Sequence, residues 1–158
     1  MNFKPLGPAT WILLLAILPL TVAGQSVEVR KAHYNLRKGI AMDGYDPVSY
    51  FSGRPVEGSD QWKFTHQGVS YLFSSKGNLE AFKSNPEKYE PAYGGWCAYA
   101  MGENGEKVKI DPETYKILNG RLYLFYNFWG NNTLKSWNKN EDGLKKAGDN
   151  KWNTIVHN

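Results

Sequence analysis

The only cysteine of the chain, Cys97, stands in the stretch EPAYGGWCAYAMG, directly behind Gly94, Gly95 and Trp96 and between Tyr93 and Tyr99. A thiol does chemistry as its thiolate, which needs an electropositive and partly exposed setting. Without that setting a free cysteine packs as a small hydrophobe, and the residue types here admit both readings. In the functional one, the glycines let the backbone carry Cys97 to the floor of a pocket walled by Tyr93, Trp96 and Tyr99. The turn that carries Tyr45 and Asp46 then lies close by. A thiolate joined by nitrogen or oxygen donors selects zinc or copper over magnesium or calcium, so the metal reading takes Cys97 with His66 as ligands. The cofactor is otherwise unknown.

The remaining titratable groups give weaker signals. His33, His66 and His157 are not paired at i, i+3 or i, i+4, so no helical ligand motif exists. Taken alone, His66 reads as a solvent-facing turn residue beside Gln67-Gly68. Asp43, Asp46 and Asp111 lack the spacing of a calcium loop, and Asp46-Pro47 and Asp111-Pro112 place carboxylates where they cap turns. A thiol enzyme with Cys97 as nucleophile and His66 as base matches no nucleophile signature. The chain is therefore expected to be non-catalytic.

The ends and the composition bound the setting. Lys4 precedes the apolar run WILLLAILPLTVAG, which is broken by Pro19 and ends in small residues. This order predicts a secretory signal over residues 1–24, with a mature N-terminus at Gly24 or Gln25. The mature protein is then expected to be periplasmic or secreted, with no stable membrane insertion. Removing that segment takes one lysine and no acid from 19 basic and 15 acidic residues, which leaves a formal charge of +3. The charges are well mixed, with no basic stripe of the kind that phosphate backbones need, so nucleic acid is not an expected partner. One cysteine excludes an intramolecular disulfide.

Elements that would position these residues follow from pattern. Residues 25–39 show no convincing period and predict an extended arm; residues 40–156 predict a single domain with a helical tail. Trp62, Phe64 and His66 alternate before Gln67-Gly68, and Val69, Tyr71 and Phe73 follow, which predicts a β-hairpin. Ser75 caps a helix with Leu79 and Phe82 on one face, ended by Asn85-Pro86. Asn119-Gly120 between two alternating runs predicts a second hairpin, and two short helices follow from NNTLKSW and NEDGLKKAGDNKW. The fold class is α+β: a small antiparallel sheet built from two β-hairpins, covered by short helices.

The ordered motifs GYDPVSYF, YLFSSKGNLEAFKSNPEKY, YGGWCAYAMG, KIDPETY and GRLYLFYN, with the late Trp152, resemble the secreted, signal-bearing branch of the YHS-domain proteins. The resemblance spans roughly Ile40 to Trp152. It implies a small α+β domain whose compact relatives are associated with heavy-metal handling, copper above all. The thiols of those relatives fall at Ser49, Ser74 and Asn78 of this chain, where no thiol stands. Asp46, Pro47, Val48, Tyr71, Phe73, Phe82, Pro86 and Tyr89 match the framework.

Two function classes stay open. The first is an extracytoplasmic binding module for a transition-metal ion or small ligand at the Cys97 region. The second is a structural or protein-interaction module with Cys97 only a core residue, in which aromatics such as Tyr45, Tyr50, Phe128 and Trp129 meet another extracytoplasmic protein.

Overall fold

The computed structural model describes residues 26–157. The expected signal segment, residues 1–24, and the expected mature N-terminus at Gly24 or Gln25 lie outside the described residues. Their first element overturns the expected extended arm: helix α1 runs Val27–His33, with the Ser26 hydroxyl accepting the Val29 N–H as an N-cap. No apolar period announces this helix because an ion pair does part of its docking. Arg30, 4% exposed, forks onto the Glu90 carboxylate and donates to the Tyr34 hydroxyl one turn on. The Glu90 carboxylate also accepts from the Tyr71 hydroxyl, so the arm is tied into the domain.

Strands β1 (Leu36–Arg37) and β2 (Ile40–Ala41) form a tight antiparallel pair, and β3 (Ser59–His66) and β4 (Val69–Phe73) form the first expected hairpin. Its Gln67-Gly68 turn has positive φ at both residues. The four strands join in the order β1-β2-β4-β3, with β2 parallel to β4. Helix α2 (Lys76–Ser84) covers this sheet; Ser75 caps it through the Asn78 N–H, and its Leu79 and Phe82 are buried. The Phe82 ring centroid lies 4.8 Å from that of Tyr71 and 5.1 Å from that of Phe73. Burying one such ring contributes about 2–3 kcal/mol. Pro86 opens the short helix α3 (Pro86–Tyr89) behind an Asn85 cap, where its missing N–H costs nothing.

The second half is built on β5 (Asp111–Leu118) and β6 (Arg121–Phe125), the other expected hairpin. Asn119 and Gly120 both take positive φ, 51° and 76°, as a two-residue hairpin turn requires. Strand β6 divides the core by its alternation. Leu122 and Leu124 face the cluster of Tyr71, Phe73 and Phe82, while Tyr123 and Phe125 face Met101, Trp137 and Trp152. Helix α4 (Ala98–Glu103) precedes this hairpin. After it come the small hairpin β7 (Asn127–Phe128) and β8 (Asn131–Asn132), then helices α5 (Thr133–Trp137) and α6 (Glu141–His157). Leu144, Trp152 and Val156 lie on the buried side of α6. The class is α+β, as the sequence predicts.

Candidate functional site

Residues 91–97 run beside β6, with bridges from Pro91 to Leu122 and from Cys97 to Leu124. Tyr93, Gly94 and Gly95 all take positive φ. A Cβ on Gly94 would lie 2.8 Å from Trp152 Cη2 and 2.9 Å from Tyr34 Cδ1, so only glycine lets α6 and the α1–β1 connection close over this backbone. The connection is then held there: the Asn35 N–H donates to the Gly94 carbonyl, its side-chain amide to that of Gly95, and Trp96 Nε1–H to the carbonyl of His33. Cys97 lies beneath, 0% exposed, with Sγ 3.4 Å from Thr133 Oγ1 and 3.4 Å from the Tyr126 amide nitrogen.

This packing encloses the thiol that the metal reading takes as a ligand. Cys97 is a core residue that ties β6 to α5, and His66 ends β3 with its ring edge-on to Phe82 at 6.1 Å. Among the described residues no group of three or more His, Cys, Asp or Glu is placed to hold a metal ion. The expected aromatic pocket is likewise filled. Tyr93 is 1% exposed and donates its hydroxyl to Asp149, Trp96 is engaged by His33, and Tyr99 packs against both core clusters.

Asp46 is also spent within the fold. It is 0% exposed, and its carboxylate accepts from the Val48 N–H at 2.9 Å, the Ser74 N–H at 2.9 Å, the Ser74 hydroxyl at 2.7 Å and the Asn78 amide at 2.6 Å. The Ser49 hydroxyl donates to the Asp46 carbonyl at 2.7 Å and accepts from the Val56 N–H. The three positions where resemblance places thiols thus converge on one buried residue: Ser74 and Asn78 donate to the Asp46 carboxylate, and Ser49 donates to its backbone carbonyl. A soft metal ion does not fit a knot whose side chains already satisfy each other.

Open space lies elsewhere. A cleft of about 360 Å³ is lined by Arg37, Lys38, Ile40, Asp43, Gly44 and Leu72, and one of about 270 Å³ by Asn35, Leu36, Arg37, Asp43, Lys109, Ile110 and Phe128. They share Arg37 and Asp43, whose ion pair, 3.5 Å long, stands between them. Together they make a groove with an apolar floor of Leu36, Ile40, Leu72 and Ile110 and a rim of three cations and one carboxylate. Its backbone is strained: Lys38, Met42 and Asp43 have φ of 54°, 57° and 52°. Each costs on the order of 1 kcal/mol for a residue with a side chain, and such strain concentrates at functional sites. Tyr45 stands just beyond Gly44, its hydroxyl held above the ordinary tyrosine range by burial and then by the charge of Glu113, Glu57, Asp111 and Asp43.

Residues 48–93 match the model of the YHS domain. No curated protein and no solved structure matches the chain. The YHS stretch contains Ser49, Ser74, Asn78, Glu90 and Tyr93, and the YHS resemblance read from the motifs holds over it. Of the groove residues only Leu72 falls inside it, so the groove is built mainly by what surrounds the YHS stretch. A third cleft, about 240 Å³, lies at its end between Tyr34, Glu90, Tyr93, Arg121 and Trp152. Of the seven residues expected at the site, Tyr93 borders this third cleft; Tyr45, Asp46, His66, Trp96, Cys97 and Tyr99 border none of the three. Sequence reasoning missed Arg37, Lys38 and Lys109. The available signal was the Lys38-Gly39 and Asp43-Gly44 pair of turns, which folds β1 and β2 around the floor.

Proposed function

We propose that this chain is a non-catalytic, exported binding module that holds a small anionic ligand with an apolar body in the groove around the Arg37–Asp43 pair. The observation that carries the reading is the composition of that groove: three exposed cations, Arg37, Lys38 and Lys109, around a floor of Leu36, Ile40, Leu72 and Ile110. An apolar lining with a few convergent polar groups is what small-molecule sites use. The larger cleft is within the size range of about 300–1,000 Å³ for such sites. Charge decides the class. Asp43 offsets one of the three cations through its exposed pair with Arg37, which leaves the rim net positive to meet an anion. The metal role of thiol-bearing YHS relatives is not carried over, because Ser49, Ser74 and Asn78 are bound to Asp46 and Cys97 is enclosed.

Titration calorimetry with dodecanoate, dodecanol and dodecyltrimethylammonium tests the reading. Dodecanoate is expected to bind at least ten-fold more tightly than the other two. Arg37→Glu combined with Lys109→Glu is expected to remove that preference without changing the unfolding midpoint. No dodecanoate binding, or binding equal in the double variant, removes the groove as an anion site.

A further inference from the structure

The β7–β8 hairpin closes on Trp129-Gly130, with φ of 50° and 78°. This is the geometry of a tight two-residue turn, for which asparagine and glycine are the ordinary choices. A tryptophan there is both sterically disfavoured and, at 95% exposed, outside the core. Its neighbours extend the feature: Phe128 is 41% exposed, and the Trp129 ring lies 6.2 Å from that of Phe128 and 6.5 Å from that of Tyr126. The fold therefore holds an aromatic cluster outward at the tip of a hairpin, where intramolecular packing does not require it.

The charges around this tip select an occupant. Between Thr114 and Glu141 the chain has no Asp or Glu; of its four cations Lys116 and Arg121 pair with Glu141 and Asp149, while Lys135 and Lys139 are exposed. Phe128 borders the cleft that also holds Arg37 and Lys109. The carboxylates on that side are engaged: Asp43 by Arg37, and Asp111 by the Thr114 hydroxyl and the Glu113 N–H. Glu113 is exposed and lies toward Tyr45. An indole is amphipathic and settles where hydrocarbon meets water, and basic residues beside it are drawn to anionic headgroups.

We propose that the Trp129 hairpin is a peripheral docking tip for an anionic phospholipid surface, with Trp129 and Phe128 entering the headgroup region and Arg37 and Lys109 meeting its charge. This surface is a function beyond the groove's ligand, and Trp129 lines neither groove cleft.

The test reads Trp129 itself, so that any attachment through the rest of the chain does not obscure it. The emission of Trp129→Asn is subtracted from that of the full chain in vesicles of phosphatidylcholine with about one-third phosphatidylglycerol. Brominated acyl chains are expected to quench the difference spectrum, and aqueous acrylamide to quench it at least three-fold less than without vesicles. The variant has a residue suited to the turn and is expected to stay folded by circular dichroism. Adding Arg37→Glu and Lys109→Glu to the otherwise unaltered chain is expected to restore acrylamide access. Trp129 emission as open to acrylamide with vesicles as without them overturns the proposal. Equal bromolipid quenching in vesicles of phosphatidylcholine alone overturns the anionic surface as its target. Loss of dodecanoate binding with docking intact bears on the groove alone, so the two readings fail separately.

Discussion

Tyr93 and Trp129 are both aromatic residues held in the left-handed region, at φ of 54° and 50°, and each stands before a left-handed glycine, Gly94 or Gly130. Around Tyr93 the strain is offset inside the molecule. The ring is enclosed, its hydroxyl reaches Asp149, and the glycines beside it let Trp152 and Tyr34 close down. Around Trp129 the ring contacts with Phe128 and Tyr126, at 6.2 and 6.5 Å, offset little of it, since the side chain is 95% exposed. The same local device thus fastens the fold in one place and leaves a largely uncompensated aromatic in the other. A strained aromatic points to function only where packing does not account for it.

The comparison breaks first at Gly94. Replacing it with alanine adds a Cβ within 2.9 Å of two rings and keeps an unfavourable φ, so Gly94→Ala is expected to cost about 3 kcal/mol. Urea unfolding measures this. A midpoint unchanged within error would show that the glycines do not fasten the arm and α6.

Alkaline pH acts on the enclosed side alone. Burial, then the charge of Glu90, pushes the Tyr34 hydroxyl up to about 12, and burial foremost raises those of Tyr50, Tyr71 and Tyr93. An unfolded tyrosine ionises near about 10. Above that pH the unfolded chain releases protons that the folded chain keeps, so stability falls as pH rises through the window from about 10 to about 12. Below about 10 the contribution is fully present. Urea midpoints followed with phenolate absorbance are expected to fall as these hydroxyls ionise; a flat midpoint across the window contradicts the buried network.

Cys97→Ser comes next, at about 1–2 kcal/mol, because a hydroxyl replaces a thiol in an apolar cluster yet keeps Thr133 and the Tyr126 amide as partners. The wild-type thiol is expected to react with aromatic disulfides at the rate of unfolding. Rapid reaction in the native state would contradict its enclosure.

How much of this was legible follows the range of the interactions involved. Both hairpins and the Ser75 cap were readable because Gln67-Gly68, Asn119-Gly120 and Ser75 fix their own geometry within a few residues. Helix α1 was not, because Arg30 finds Glu90 across 60 positions and leaves no apolar stripe. The Cys97 neighbourhood was conspicuous for the right residues, but glycine and aromatic types look alike in a pocket and in a core. The groove was hidden altogether: it joins the β1–β2 turn to Leu72, Lys109 and Phe128, which no local pattern connects. Phe128 and Trp129, named as partner-surface aromatics, are exposed. Tyr50, named with them, is buried and donates its hydroxyl to the Pro112 carbonyl.

A turn with open space around it calibrates the strain itself. Gly120 has φ of 76°, and a Cβ there meets nothing within 4 Å, so Gly120→Val tests backbone conformation without a clash. A loss somewhat above 1 kcal/mol is expected in urea unfolding. An unchanged midpoint would mean that positive φ costs little in this protein, and the argument from Trp129 would weaken with it.

The smallest effect has the opposite sign. Trp129→Asn puts a residue tolerant of the left-handed region into the same turn and gives up contacts only with the exposed faces of Phe128 and Tyr126. Relief of strain is expected to outweigh those contacts, raising stability by about 0.5 kcal/mol, while the same change at an enclosed aromatic such as Tyr93 would unfold the chain. Thermal unfolding of the two variants side by side gives the sign directly. A fall of more than about 1 kcal/mol for Trp129→Asn, beyond the usual range of surface substitutions, would show that the indole stabilises the fold after all. Its exposure would then be a by-product of folding, and the case for an outward-facing role would lose its premise.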